Sequence, residues 1–156
     1  MTTSEIIQII TATVGVMCFS LLGNTRGKKL LFTAIGGFLS WALFILLGRL
    51  IASETMRYFI VSILLSAYSE IMARVLKTPT TTFIIPSLIP LIPGSSLYYT
   101  MASAFSGNLD TFLEKALQTL ELAAALAIGI ILVSAFTGII LKLMSKHHLH
   151  IKGEQK

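Results

Sequence analysis

Residues 83–105 read FIIPSLIPLIPGSSLYYTMASAF, a run without a single charge that holds three of the chain's four prolines, Pro86, Pro90 and Pro93. A run of this length and apolarity suffices to cross a bilayer as a helix, which takes about 20 residues. Each proline inside a helix, however, removes one N–H and frees the carbonyl four residues back. Here those carbonyls belong to Thr82, Pro86 and Ile89. Lipid cannot satisfy such groups, so this kind of backbone persists only where protein buries it or water reaches it. The pattern therefore predicts a helix that stops across Pro90-Leu91-Ile92-Pro93 and restarts at Gly94-Ser95-Ser96. Gly94 permits unusual backbone angles, and Ser95 or Ser96 is expected to cap the new helix. Counting along the run places the break near the bilayer midplane.

The rest of the chain sets this run among others like it. Of 156 residues, 54% are hydrophobic and only 12% are charged, with a mean hydropathy of +0.84. A soluble domain carries about 25% charged residues, so a water-facing surface cannot be covered. Disorder is excluded by the abundance of apolar residues. Uncharged or nearly uncharged runs occur at 6–22, 30–47, 58–73, 83–105 and 116–141, followed by a basic tail at 142–156. They predict an all-α integral membrane protein, one membrane domain of five transmembrane helices with the fourth interrupted by Pro and Gly. The first run is read as a retained helix rather than a signal peptide, because Glu5 is the only charge before it and no cleavage pattern follows.

Charge sets the expected orientation. Arg26, Lys28, Lys29, Arg74, Lys77, Lys142, Lys146, Lys152 and Lys156 fall on one side of a five-span chain, and Arg49, Arg57 and Lys115 on the other. The positive-inside rule then puts the tail in the cytoplasm and the N-terminus outside, in the cytoplasmic membrane. A four-span chain with a re-entrant fourth run would put the basic tail outside. The net charge of +5 lies in short breaks between apolar runs, which fits contact with the lipid bilayer and not with nucleic acid. Cys18 lies in an apolar run, where it is expected to pack. His147, His148 and His150 lack a carboxylate or cysteine at ligand spacing, so no metal and no cofactor is expected. No enzyme signature is present.

The interrupted run is also where binding is expected. A helix starting inside the membrane aims unpaired N–H groups and its positive dipole end at an anion such as a carboxylate, and secondary transporters build their sites at such breaks. The candidate binding residues are Pro90, Pro93, Gly94, Ser95 and Ser96, with Tyr98, Tyr99 and Thr100 as hydroxyl donors. Intramembrane acids are functional candidates by default, which singles out Glu121 and Glu70, the latter with Arg74, for ion coupling. Glu70 sits four residues before Arg74, so the two can pair on one face, which equally suits an interfacial ion pair anchoring the cytoplasmic end of the helix. It also continues a stripe of Ser62, Ser66 and Ser69. The two acids are expected near opposite membrane faces, too far apart to act as one acid–base pair.

The segment Ile89-Pro90-Leu91-Ile92-Pro93-Gly94-Ser95-Ser96-Leu97-Tyr98, with Ala73-Arg74 and Pro79 before it, resembles the signature of the threonine/serine exporter family. Size and hydropathy are similar to the small subunit of the family's two-component members. The resemblance implies ion-driven export of threonine and serine, or of dicarboxylates such as succinate, and a larger membrane subunit as partner. A non-transporting scaffold for that subunit is the other role consistent with it. Five small helices are few for a complete alternating-access machine, so a partner or self-association is expected.

Overall fold

The computed structural model describes the backbone of residues 2–153 and the side chains of residues 2–142. The tail histidines and Lys146, Lys152 and Lys156 therefore lie outside the described side chains. Six α-helices follow in order: α1 Thr3–Leu22, α2 Lys28–Gly48, α3 Glu54–Val75, α4 Thr81–Leu88, α5 Gly94–Phe105 and α6 Leu109–Gly153. A 3-10 turn, Ile89–Leu91, follows α4, and no strand occurs among the described residues. The protein is an all-α membrane protein. Four helices are long and apolar enough to cross a bilayer, and α4 with α5, bent by 56° at their break, passes the same test as a pair.

Local chemistry explains the boundaries. Glu5 accepts the Thr2 backbone N–H at 2.9 Å, tying down the start of α1. Gly27, at φ 63°, supplies the left-handed turn that launches α2. Ser53 caps α3 by accepting the Met56 N–H. The helices then pack through small residues, the usual route to close approach in lipid. A Cβ added to Gly37 would come within 2.7 Å of Val16, and one added to Gly129 would lie 3.0 Å from the Phe59 carbonyl. The core joins Tyr58, Val61 and Leu65 of α3 with Leu91 of the 3-10 turn and Leu122 and Ala125 of α6.

Cross-bundle contacts give the direction of every pass. Helices α1 and α2 are antiparallel, since Arg49 meets Glu5 and Gly37 meets Val16. Helices α2 and α3 are antiparallel as well, with Phe44 against Tyr58 and Phe32 bonded to Tyr68. Helices α3 and α6 run parallel: Thr55 bonds Glu121, Ser62 abuts Gly129, and Arg74 shares a groove with Phe136 and Thr137. Two parallel helices require one return pass between them, so α4, the 3-10 turn and α5 together cross the bundle and do not fold back.

One end of the bundle, the basic end, carries Arg26, Lys28, Lys29, Arg74 and Lys77. The other, the ion-pair end, carries Glu5, Arg49, Glu54, Arg57 and Glu121. From Glu54 to Arg74, α3 rises about 30 Å at about 1.5 Å per residue, the thickness of a hydrocarbon core. The break is nearer the ion-pair end than the middle, because Pro93 lines a cleft with Tyr58 and Leu122, the former one turn into α3. Since Glu121 lies level with Thr55, residues 109–120 of α6 continue about 18 Å past that level. Helix α5 packs mainly on α6, and through an inverted face. Ser96, Thr100 and Ser103 are buried, whereas Tyr98, Tyr99 and Phe105 are 68%, 59% and 86% exposed.

Candidate functional site

The break satisfies much of its own backbone. The Pro86 carbonyl, deprived of a donor by Pro90, accepts the Ile89 N–H, and the Ile89 carbonyl accepts Ile92 N–H at 3.2 Å. These are the tighter bonds of a 3-10 turn. Pro93, at φ −73° and ψ 60°, then centres an inverse γ-turn in which Gly94 N–H donates to the Ile92 carbonyl at 2.6 Å. Helix α5 begins at Gly94 with no side-chain cap. This corrects the expected capping by Ser95 or Ser96: the γ-turn sets the helix start one residue earlier, so both serines fall in the first turn. Their backbone N–H groups make no turn or cap bond among the described residues.

That first turn opens into a cleft of about 130 Å³ at the ion-pair end, lined by Pro93, Ser95, Ser96 and Tyr99 on one side. Glu54 and Tyr58 of α3 and Lys115, Gln118 and Leu122 of α6 form the rest. At about 30 Å³ per water the volume matches some four waters, the size of a small metabolite. Ser96 Oγ lies 2.8 Å from Thr119 Oγ1, which is also 3.2 Å from Thr100 Oγ1. Those hydroxyls clamp α5 to α6 and hold the cleft wall. Lys115 Nζ donates to Gln118 Oε1 at 3.2 Å and lies 3.7 Å from Glu114. The cleft thus combines free backbone donors, hydroxyls, an amide, one cation and one carboxylate.

The structure separates the remaining sequence candidates from this cleft. Pro90 faces a different groove, beside Gln8, Thr11 and Trp41. Tyr98 is 68% exposed, does not line the cleft, and meets Tyr99 edge-on at 5.5 Å. Gly94 is exposed and does not line the cleft. Glu121 is exposed, accepting Thr55 Oγ1–H at 2.9 Å. Glu70 pairs with Arg74 at 3.3 Å and is much the less exposed partner. Both line an apolar groove of about 430 Å³ with Leu132, Val133 and Phe136. Fifteen residues of α3 separate the levels of Glu121 and Glu70, about 22 Å.

Sequence reasoning missed Glu54, Tyr58, Lys115 and Gln118. The signal that could have found them is spacing: Lys115, Gln118 and Leu122 recur at helical intervals, and Glu54 and Tyr58 lie one turn apart.

A bundle of apolar helices with a small charged cleft at an interrupted pass has the build of a membrane transporter for small solutes. A family model described as Threonine/Serine exporter, ThrE, matches residues 8–136, and the chain belongs to that family. No curated protein and no solved structure matches it.

Proposed function

We propose that this chain is the small subunit of a two-component secondary exporter that carries threonine, serine and similar small amino acids out across the cytoplasmic membrane. The observation that carries the reading is the cleft at the start of α5. The unbonded amides of Ser95 and Ser96 and the positive end of the helix favour a carboxylate there. Tyr99 and Ser95 add hydroxyls for the substrate side chain.

Two features support movement and assembly. Helix α4 and its 3-10 turn pack on α1, α2 and α3, whereas α5 packs on α6, so the interrupted pass changes neighbours at the Pro93 turn, where α5 can hinge against α4. The exposed apolar face of α5 and residues 109–120, past the level of the ion-pair end, offers a larger membrane subunit a surface to cover. Glu70, held by Arg74 in an apolar groove, is the better-placed coupling carboxylate. The tail faces the cytoplasm and α1 starts outside.

Efflux of labelled threonine and succinate from preloaded cells lacking their own exporters tests this, with the chain alone and with the larger subunit. Threonine efflux that needs both chains and is lost in Ser95→Leu/Ser96→Leu, at normal membrane levels, is the expected result. Normal efflux by that double variant would sink the site. Succinate efflux alone would replace the substrate, and efflux from the partner by itself would make this chain a scaffold.

A further inference from the structure

We infer that Glu54 and Lys115 read the two charges of a zwitterionic substrate, Lys115 its carboxylate and Glu54 its ammonium group, and so set selectivity for amino acids over dicarboxylates. The inference rests on the cleft being the substrate site. Its walls carry one side chain of each formal charge: Glu54 on α3 and Lys115 on α6. The two make no salt bridge with each other. Neighbours leave both available. Lys115 is held by the neutral amide of Gln118 and stands at the long distance of 3.7 Å from an exposed Glu114. Glu54 has no cation within ion-pair distance among the described residues.

The backbone amides of Ser95 and Ser96, which are donors only, add to the attraction for a carboxylate. Nothing else lining the cleft carries a negative charge, so Glu54 is the one group there suited to an ammonium ion. A dicarboxylate of similar length would bring its second carboxylate against Glu54, and like charges within a few ångströms repel. Glu54 also sits in the first turn of α3, where a carboxylate favours the helix dipole. That role touches stability alone and cannot discriminate between substrates, so a selectivity readout separates the two.

The test uses membrane vesicles holding this chain with its larger subunit, and displaces labelled threonine with threonine, threoninamide or N-acetylthreonine. Threoninamide lacks the carboxylate and N-acetylthreonine lacks the ammonium group. Losing a charge-assisted contact is expected to weaken competition by about 10- to 100-fold for each analogue in the unaltered protein. Glu54→Gln is expected to weaken threonine by a similar factor and bring it level with N-acetylthreonine, while leaving threoninamide disfavoured. Lys115→Gln is expected to do the converse. Glu54→Asp and Lys115→Arg keep the charges and should hold both ratios, which controls for folding. Unchanged ratios in Glu54→Gln and Lys115→Gln, with threonine still transported, overturn the charge pair and leave the exporter standing. Vesicles that carry succinate and not threonine overturn the proposed substrate and the pair together.

Discussion

Ser87 of α4 stands against Gly36 of α2 so closely that a Cβ on the glycine would overlap the serine hydroxyl and come 3.2 Å from its Cβ. The α2–α4 contact is therefore set by the absence of one carbon on α2. Tyr68 closes the same spot, its ring 3.3 Å away, while its hydroxyl donates to the Phe32 carbonyl at 2.7 Å.

Gly36→Ala should destabilise the purified protein by about 1–3 kcal/mol, the usual cost of overpacking a filled site. Ser87→Ala removes the overlapping oxygen, so the double variant Gly36→Ala/Ser87→Ala should recover most of the loss. Thermal unfolding of the four proteins in detergent measures the coupling. Strictly additive effects would show that the two residues do not share the space.

Gly129 of α6 is the stricter case. An added Cβ would overlap Ser62 Oγ and also lie 3.0 Å from the Phe59 backbone carbonyl, which cannot rotate away. Gly129→Ala should therefore cost more than Gly36→Ala, and Ser62→Ala should rescue it only in part. The same unfolding series reads this; full rescue by Ser62→Ala would place the obstruction wholly in the side chain.

Thr119→Val deletes the hydroxyl that meets both Ser96 and Thr100. Interhelical hydrogen bonds in membrane proteins are worth about 0.6 kcal/mol, at most about 1.7, so the fold should survive. Hydrogen exchange should quicken across α5 and stay unchanged in α1, α2 and α3. Equal protection of α5 in both proteins would mean that apolar packing alone seats it.

Glu70→Gln should flatten the pH dependence of efflux, whereas Glu121→Gln should leave it intact. Glu70 sits by an apolar groove with Arg74, and Glu121 lies exposed on Thr55. Efflux measured across a series of external pH values decides, and the reverse pattern would move the coupling role to Glu121.

The helical passes were legible because each apolar run ends in charge or glycine: Glu5, Gly27-Lys28 and Arg74 fall at or near the ends of α1, α2 and α3. The interruption at Pro93 was legible for the same reason, since proline acts through its own backbone. What stayed hidden depends on neighbours distant in sequence. Asp110, Glu114 and Lys115 lie ahead of the apolar run at 116–141, yet Leu109, Phe112, Leu113, Ala116 and Leu117 recur at helical spacing through them, and α6 begins at Leu109. Nothing local could show that this extra length carries Lys115 alongside Glu54, sixty-one positions earlier. That juxtaposition comes from α3 and α6 pointing the same way. Tyr98 and Tyr99 illustrate the opposite limit: both look equally suitable as donors, and only the way α5 seats against α6 puts Tyr99 on the cleft wall and leaves Tyr98 off it.

The shared direction of α3 and α6 also carries an arithmetic of parity. On the proposed five-pass topology, an odd number of passes, α1 begins on one face of the membrane and α6 finishes on the other. A reporter active on only one face must give opposite signals when joined ahead of α1 and after α6. Any single polypeptide that linked this chain to a companion would inherit the same rule. A companion placed before α1 has to deliver its chain to the ion-pair face, and one placed after α6 has to take it up on the basic face.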